Sequence, residues 1–332
     1  MQRKSRHKAS PKRKQVSTLP LYILLIALFI LYLYFQAVPF LALLLGLLLL
    51  IVFVLLIVFE LAGSVQEEGL TKSVFEIAMA IAVVFLLWYS VRILLHTAYP
   101  LDVVPSCSMQ PHLNRGDVIL LQGITNISEL HAPIVEVSKA AYAQMNGDIN
   151  GEFLACVAYS NSSGKLVTSQ MLEPGYTVGL YNEVTGKIVQ QGAQGSDLVQ
   201  YTCGTSQVTF SNGTTGTEAY TAAITISGTT IIGDRNNSVV VYQTTPSDLF
   251  YKLGDSYVVH RLYAIINASG SYYLLTKGDN NPGLDMQFGN YPVNMSQLQG
   301  KVIASAPYLG YVKLIFAKSF TEPAGCNVTM SG

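Results

Sequence analysis

Charge is scarce in this chain: Asp, Glu, Lys and Arg make up only 12% of its 332 residues. Beyond residue 14 no basic patch with interleaved aromatics occurs, which argues against a nucleic-acid partner. Cysteine is sparse as well. Cys107, Cys156, Cys203 and Cys326 follow no zinc-site spacing. No Asn-x-Ser/Thr sequon precedes residue 100, and no fixed-period repeat is present. The first apolar run lacks a small-residue cleavage site and follows a long basic tail, so it does not read as a removable signal peptide.

What is present is unevenly placed. Seven of the twenty basic residues (Arg3, Lys4, Arg6, Lys8, Lys12, Arg13 and Lys14) fall in the first fourteen positions with no acid among them. The other 318 residues carry 13 basic and 20 acidic side chains, a net of −7. A basic tail just ahead of an apolar run holds the N-terminus on the cytoplasmic side. From Leu19 to Gly63 the only charge is Glu60. That run is too long for one membrane span of about 20 residues and suits two, with a turn at Gln36-Ala37-Val38-Pro39. Glu67, Glu68 and Lys72 read as the loop to a third span over Val74–Val91, closed by the interfacial residues Trp88 and Tyr89. Three spans place everything after about residue 100 outside. Seven sequons, at Asn126, Asn161, Asn212, Asn236, Asn267, Asn294 and Asn327, agree with that side, as does an oxidising compartment in which Cys156 and Cys203 could pair.

The outer region reads as β-rich. Short β-branched and aromatic runs (118–121, 238–242, 257–263, 272–275 and 301–304) are separated by turn signals at Gly116-Asp117, Asn267–Gly270 and Gly278–Gly283. Between about 123 and 235 the composition shifts to Ser, Thr, Gly, Asn and Gln, which reads as an inserted β-rich module. The expected layout is a basic tail (1–18), a transmembrane hairpin (19–63), a third helix (74–97), a β domain (98–122 and 236–317) interrupted by the 123–235 insertion, and a C-terminal tail (318–332).

Two serines bracket one residue in Ser106-Cys107-Ser108-Met109-Gln110-Pro111, directly after the membrane segment. A serine becomes nucleophilic only beside a base, which in turn needs an orienting group. His260, on an alternating strand and followed by Arg261, is the best-placed histidine, although a lone strand histidine is more often a core residue. His112 is too close in sequence to Ser108 to serve. Asp279 and Asp285 supply carboxylates within Thr276–Asp285, whose Gly-Asp-Asn-Asn run could merely cap backbone amides. Lys277 could be a base if desolvated; its place before the turn suggests an exposed side chain.

Four blocks in order — Ser106–Pro111 with Arg115-Gly116-Asp117, Val259-His260-Arg261, Thr276–Asn281 with Asp285, and Gly300-Lys301-Val302 with Pro307–Gly310 — resemble type I signal peptidases of the archaeal and endoplasmic-reticulum branch. The resemblance covers about residues 100–122 and 238–317. It implies Ser108 as nucleophile, His260 as general base, Asp285 as the acid that orients it, Asp279 as a supporting acid, and Ser106 as an oxyanion-hole donor. It further implies a membrane-bound serine endopeptidase without cofactor, whose partners are signal-peptide-bearing precursors, the lipid bilayer and the translocation machinery. Cys107 stands where that family usually has Gly, and the 152 positions from Ser108 to His260 are a wider gap than usual. A different class, a surface-exposed binding or adhesion protein on an inactive peptidase core, is the alternative that the insertion and Cys107 motivate.

Overall fold

The computed structural model describes residues 18–35, 38–68, 70–149, 153–160, 163, 166–167, 176–189, 199–316, 323 and 325–331. Nearly all of the basic tail, Gln36 and Ala37 of the expected turn, and the sequon at Asn161 lie outside these residues. Two compact units are present, Met1–Tyr89 and Ser90–Gly332.

In the first unit, α1 (Leu19–Phe35) and α2 (Pro39–Glu68) form the expected hairpin. Its open end is tied by Glu60, whose carboxylate accepts from Thr18 Oγ1 at 2.7 Å, so the lone charge of the run has a polar partner. The helix α3 (Leu70–Leu94) follows almost at once, so Glu67, Glu68 and Lys72 belong to helices and not to a loop. Two segments, Phe40–Glu60 and Ile77–Leu94, are long and apolar enough to cross a bilayer. At 17 residues, α1 rises only about 26 Å against a hydrocarbon thickness of about 30 Å.

The second unit is mainly β. In chain order it contains β1 (Leu101–Val103), β2 (Val118–Gln122), β3 (Ile134–Val137), α4 (Lys139–Ile149), β4 (Leu154–Ser160), β5 (Leu166–Val167), β6 (Tyr176–Asn182), β7 (Lys187–Val189), β8 (Val199–Phe210), β9 (Thr215–Ile226) and β10 (Thr229–Ile232). After these come β11 (Val239–Gln243), α5 (Leu249–Leu253), β12 (Tyr257–Ala268), β13 (Ser271–Lys277), β14 (Val293–Asn294), β15 (Leu298–Ala306), α6 (Tyr311–Phe316) and β16 (Val328–Ser331).

The principal sheet runs β1-β2-β15-β11-β12-β13-β14, with β3 added in parallel to β12. Thus β3, although inside the stretch expected to be insertion, joins the main sheet. The central strand β12 is buried along almost its whole length, because both of its faces carry a core. Val259 packs with Val239, Val241, Met109, Leu113, Ile119 and Leu121 on one face. Val258 and Leu262 pack with Val240, Tyr242 and Leu274 on the other. Alternation of side chains along a strand accounts for that division.

The insertion contributes two four-stranded sheets, β5-β4-β6-β7 and β10-β9-β8-β16. A Cys156–Cys203 disulfide joins β4 to β8, a pairing the sequence allows. Leu154, Tyr201, Ile224 and Ile226 share a core with Tyr263, Ile266 and Leu275 of the principal sheet, so the insertion is built onto that sheet. Two-residue turns at Ser227-Gly228 and Ser269-Gly270 have positive φ at both positions (49° and 81°, 53° and 91°), the turn form whose twist matches a hairpin. The final strand β16 lies in the expected C-terminal tail but completes the insertion's sheet by pairing with β8.

Candidate active site

The loop that carries the two serines is pinned from below and from both ends. Met109 and Leu113 are buried in the core shared by β2, β11 and β12, which fixes the turn between them. Leu113 N–H donates to the Met109 carbonyl at 2.9 Å. Upstream, Arg115 Nε donates to the Pro105 carbonyl at 3.0 Å, steadying the residue just before Ser106. The Arg-Gly-Asp block is a docking point. Gly116 takes φ 88°, its carbonyl receives Gly310 N–H at 2.7 Å, and Asp117 accepts from Asn114 and Tyr308 amides. Burial pushes the Asp117 carboxyl up, opposed by those two amides. The first and last of the four sequence blocks are therefore one packed substructure.

Ser106 Oγ and Ser108 Oγ lie 3.2 Å apart, within hydrogen-bond reach. The Ser108 carbonyl receives the Asn280 N–H at 2.7 Å, so the Gly278–Asn281 turn sits directly against the serine loop. Gly278 is required there. A Cβ at that position would lie 2.7 Å from the Ser108 carbonyl oxygen and equally close to the Asn281 amide.

His260 and Asp285 form a second pair. Nδ1 of the imidazole and Oδ2 of the carboxylate are 2.7 Å apart, and both residues are buried, at 3% and 2% exposure. With Nδ1 donating to the carboxylate, Nε2 is left as the basic nitrogen. Tyr242 donates its hydroxyl to the same Oδ2 at 2.9 Å, and Phe250 stands edge-on to the imidazole at 5.8 Å between centroids. Burial, and next the Asp285 charge, push the Tyr242 hydroxyl well above its usual range, so it stays a donor. Asp285 Oδ1 is buried and has no partner among the described residues.

Asp279 belongs to a third pair. Arg261 grips it through two parallel bonds, Nε to Oδ1 and Nη2 to Oδ2, each 2.7 Å, and also donates to the Asn237 carbonyl. Such forked pairing neutralises the carboxylate and anchors the turn. Lys277, expected to be exposed, is instead half-buried. Desolvation brings its amine down to about 8 despite the nearby Asp279 and Asp285 charges, with Arg235 lowering it further. It lines a cavity of about 180 Å³ with Arg261 and Asp279, beneath Tyr220 and Ala222 of the insertion.

The structure thus brings together Ser106 with Ser108, His260 with Asp285, and Asp279 with Arg261. Among the described residues no hydrogen bond joins Ser108 to His260. Arg261 of β12 pairs with Lys277 of β13, so His260 and Gly278 are each one residue from that pair, and the Ser108 carbonyl packs against Gly278. Cys107, between the serines, is disulfide-bonded to Cys326 and is no free thiol. Tyr242 and Cys326 had no role in the sequence reading. Only strand alternation and an even cysteine count hinted at them, whereas Asn280 and Arg115 were already inside the motif blocks.

The sequence is similar to the signal peptidase complex catalytic subunit SEC11 of Verticillium alfalfae, at 32% identity over 83 residues, which is 24% of this chain and 44% of that protein. The match therefore spans less than half of the relative's length, and it supports a signal-peptidase-like relationship. No protein-family model and no solved structure matches.

Proposed function

We propose that this protein is a membrane-anchored serine endopeptidase of the type I signal-peptidase kind, which removes signal peptides from translocated precursors on the outer face of the membrane. The observation that carries the reading is the buried 2.7 Å bond between His260 and Asp285, two residues that the motifs name independently and that lie 25 positions apart. Ser108 Oγ attacks the scissile carbonyl, His260 Nε2 takes its proton and returns it to the leaving amine, and Asp285 holds the imidazole and stabilises its charged form. Tyr242 shares the task of fixing Asp285. Ser106 Oγ and the Ser108 N–H stabilise the oxyanion, a donor being worth about 3 kcal/mol in such a site. Catalytic hydrogen bonds commonly form only as substrate binds, and the Ser108–His260 bond is proposed to form at that stage. Asp279 acts through Arg261 to set the turn under the serine.

The two apolar helices and the basic tail support a multi-pass membrane location with a cytoplasmic N-terminus and the β unit outside. Precursors whose apolar segments lie in the same bilayer arrive confined, which lowers the entropic cost of attack. A second reading of the base rests on a specific observation. Lys277 is desolvated, is lowered to about 8, and its Nζ donates at 3.2 Å to the carbonyl of Gly278, the residue packed against the Ser108 carbonyl, which motivates a Ser-Lys pair. Incubating the detergent-solubilised full chain with a signal-bearing precursor tests the function. Cleavage after a small residue is expected from the wild type and not from Ser108→Ala. A wild type that binds the precursor without cutting it would instead favour a binding protein on an inactive core.

A further inference from the structure

The Ser108 loop has one attachment that the peptidase chemistry does not call for. Cys107 is bonded to Cys326, 219 positions away, just ahead of β16. On one side β16 pairs antiparallel with β8, Thr329 opposite Thr209 and Met330 opposite Val208. On the other side no strand pairs with it among the described residues, and the Asn280 side chain takes that place. Asn280 accepts the Met330 N–H through Oδ1 at 2.7 Å and donates through Nδ2 to the Val328 carbonyl at 2.7 Å. Backbone groups of residues two apart in a strand point the same way, so the Asn280 amide stands in for one rung of a neighbouring strand. The same Nδ2 also lies 3.2 Å from the Cys107 carbonyl, and the Asn280 N–H holds the Ser108 carbonyl. Thr329 Oγ1 reaches Gln110 Oε1 at 3.4 Å. Cys107, Ser108 and Gln110 are therefore all tied, directly or through Asn280, to one strand of the insertion's sheet.

We propose that β16 is a clasp that positions the candidate nucleophile loop, with Cys326 and Asn280 as positioning residues, and that it makes the insertion sheet part of the site's scaffold. The inference rests on the peptidase reading for its kinetic consequence only. It also accounts for Cys107 where a glycine is usual: the position is one half of the covalent tie. An inserted module that merely decorated the surface would need no bond to the residue between the two serines.

The test uses the full chain in detergent, comparing wild type with the double variant Cys107→Ala/Cys326→Ala, and separately with Asn280→Ala, which keeps the disulfide. Hydrogen exchange is read on peptides covering 106–114 and 278–281. Each variant should lose protection there by about tenfold or more, while β12 and the Cys156–Cys203 region keep theirs. On a precursor, kcat should fall by about 10- to 100-fold with KM within about twofold, as expected when a reacting group is displaced but the binding surface is kept. Asn280→Asp keeps the acceptor for Met330 but sets a carboxylate oxygen against the Val328 and Cys107 carbonyls, so it should lose at least as much as Asn280→Ala. Unchanged exchange at 106–114 in both variants overturns the clasp. So does a loss spread evenly over β12 and the insertion, which would mark a general stabilising role. If the wild type cuts no precursor, the peptidase reading fails while the exchange comparison still decides the clasp.

Discussion

Replacing Lys277 by Met tests the electrostatics and the choice of base together. The Lys277 amine titrates at 10.5 when solvated and at about 8 in the folded protein, burial being the main cause. Between those two values the unfolded chain binds more protons than the native one, so this group makes stability rise with pH from about 8 to 10.5. Below about 8 the whole penalty for holding a desolvated ammonium is present, and above 10.5 it is gone. At about 1.4 kcal/mol per pH unit the ceiling is about 3 kcal/mol, and the side chain's partial contact with solvent reduces it to about 1–2 kcal/mol. Met keeps the apolar stem and removes the charge. Lys277→Met should therefore be more stable than wild type at pH 7 by about 1–2 kcal/mol, with the advantage shrinking toward pH 10. Thermal or urea unfolding of both proteins in detergent, at pH values from 7 to 10, measures the difference at each point. Parallel profiles would refute the desolvation argument. The same variant assayed on a precursor should retain most activity when His260 is the base. Loss of activity with stability intact would move the role to Lys277.

His260→Ala should reduce kcat by about 100-fold or more, and Asp285→Asn by a comparable factor, because the amide no longer orients the imidazole or stabilises its charge. Near-normal turnover in His260→Ala would remove the Ser-His reading. Protease added to sealed cells should cut within 123–235, the consequence of an outer β unit; complete protection there would mean an even number of crossings, as when α1 lies short of spanning.

Legibility followed distance along the chain. The Gly116-Asp117 and Ser269-Gly270 turns could be read because each needs a particular backbone conformation from one or two residues, and Gly and Ser-Gly supply it. The β12 run was legible as a strand from its β-branched and aromatic content. That His260 would face Asp285 was legible only through the family resemblance, since nothing local to either residue requires the other. Lys277 was misread. Its neighbours in sequence are a turn, but its neighbours in space are Arg261, Asp279 and the insertion's Tyr220 and Ala222, which strip its amine of water.

By itself the sequence determined the chemistry on offer: two serines one residue apart, a strand histidine, acids beside a turn, apolar segments of membrane length, and cysteines confined to the residues after 100. These are properties of residue type and local spacing. Tertiary structure alone decided which groups lose their water and which meet. It closed Cys107 onto Cys326, gave Asp279 to Arg261, set Tyr242 on Asp285, and laid the last strand against the serine loop. Desolvation and partner choice depend on atoms contributed from up to 219 positions away, and no local pattern encodes them.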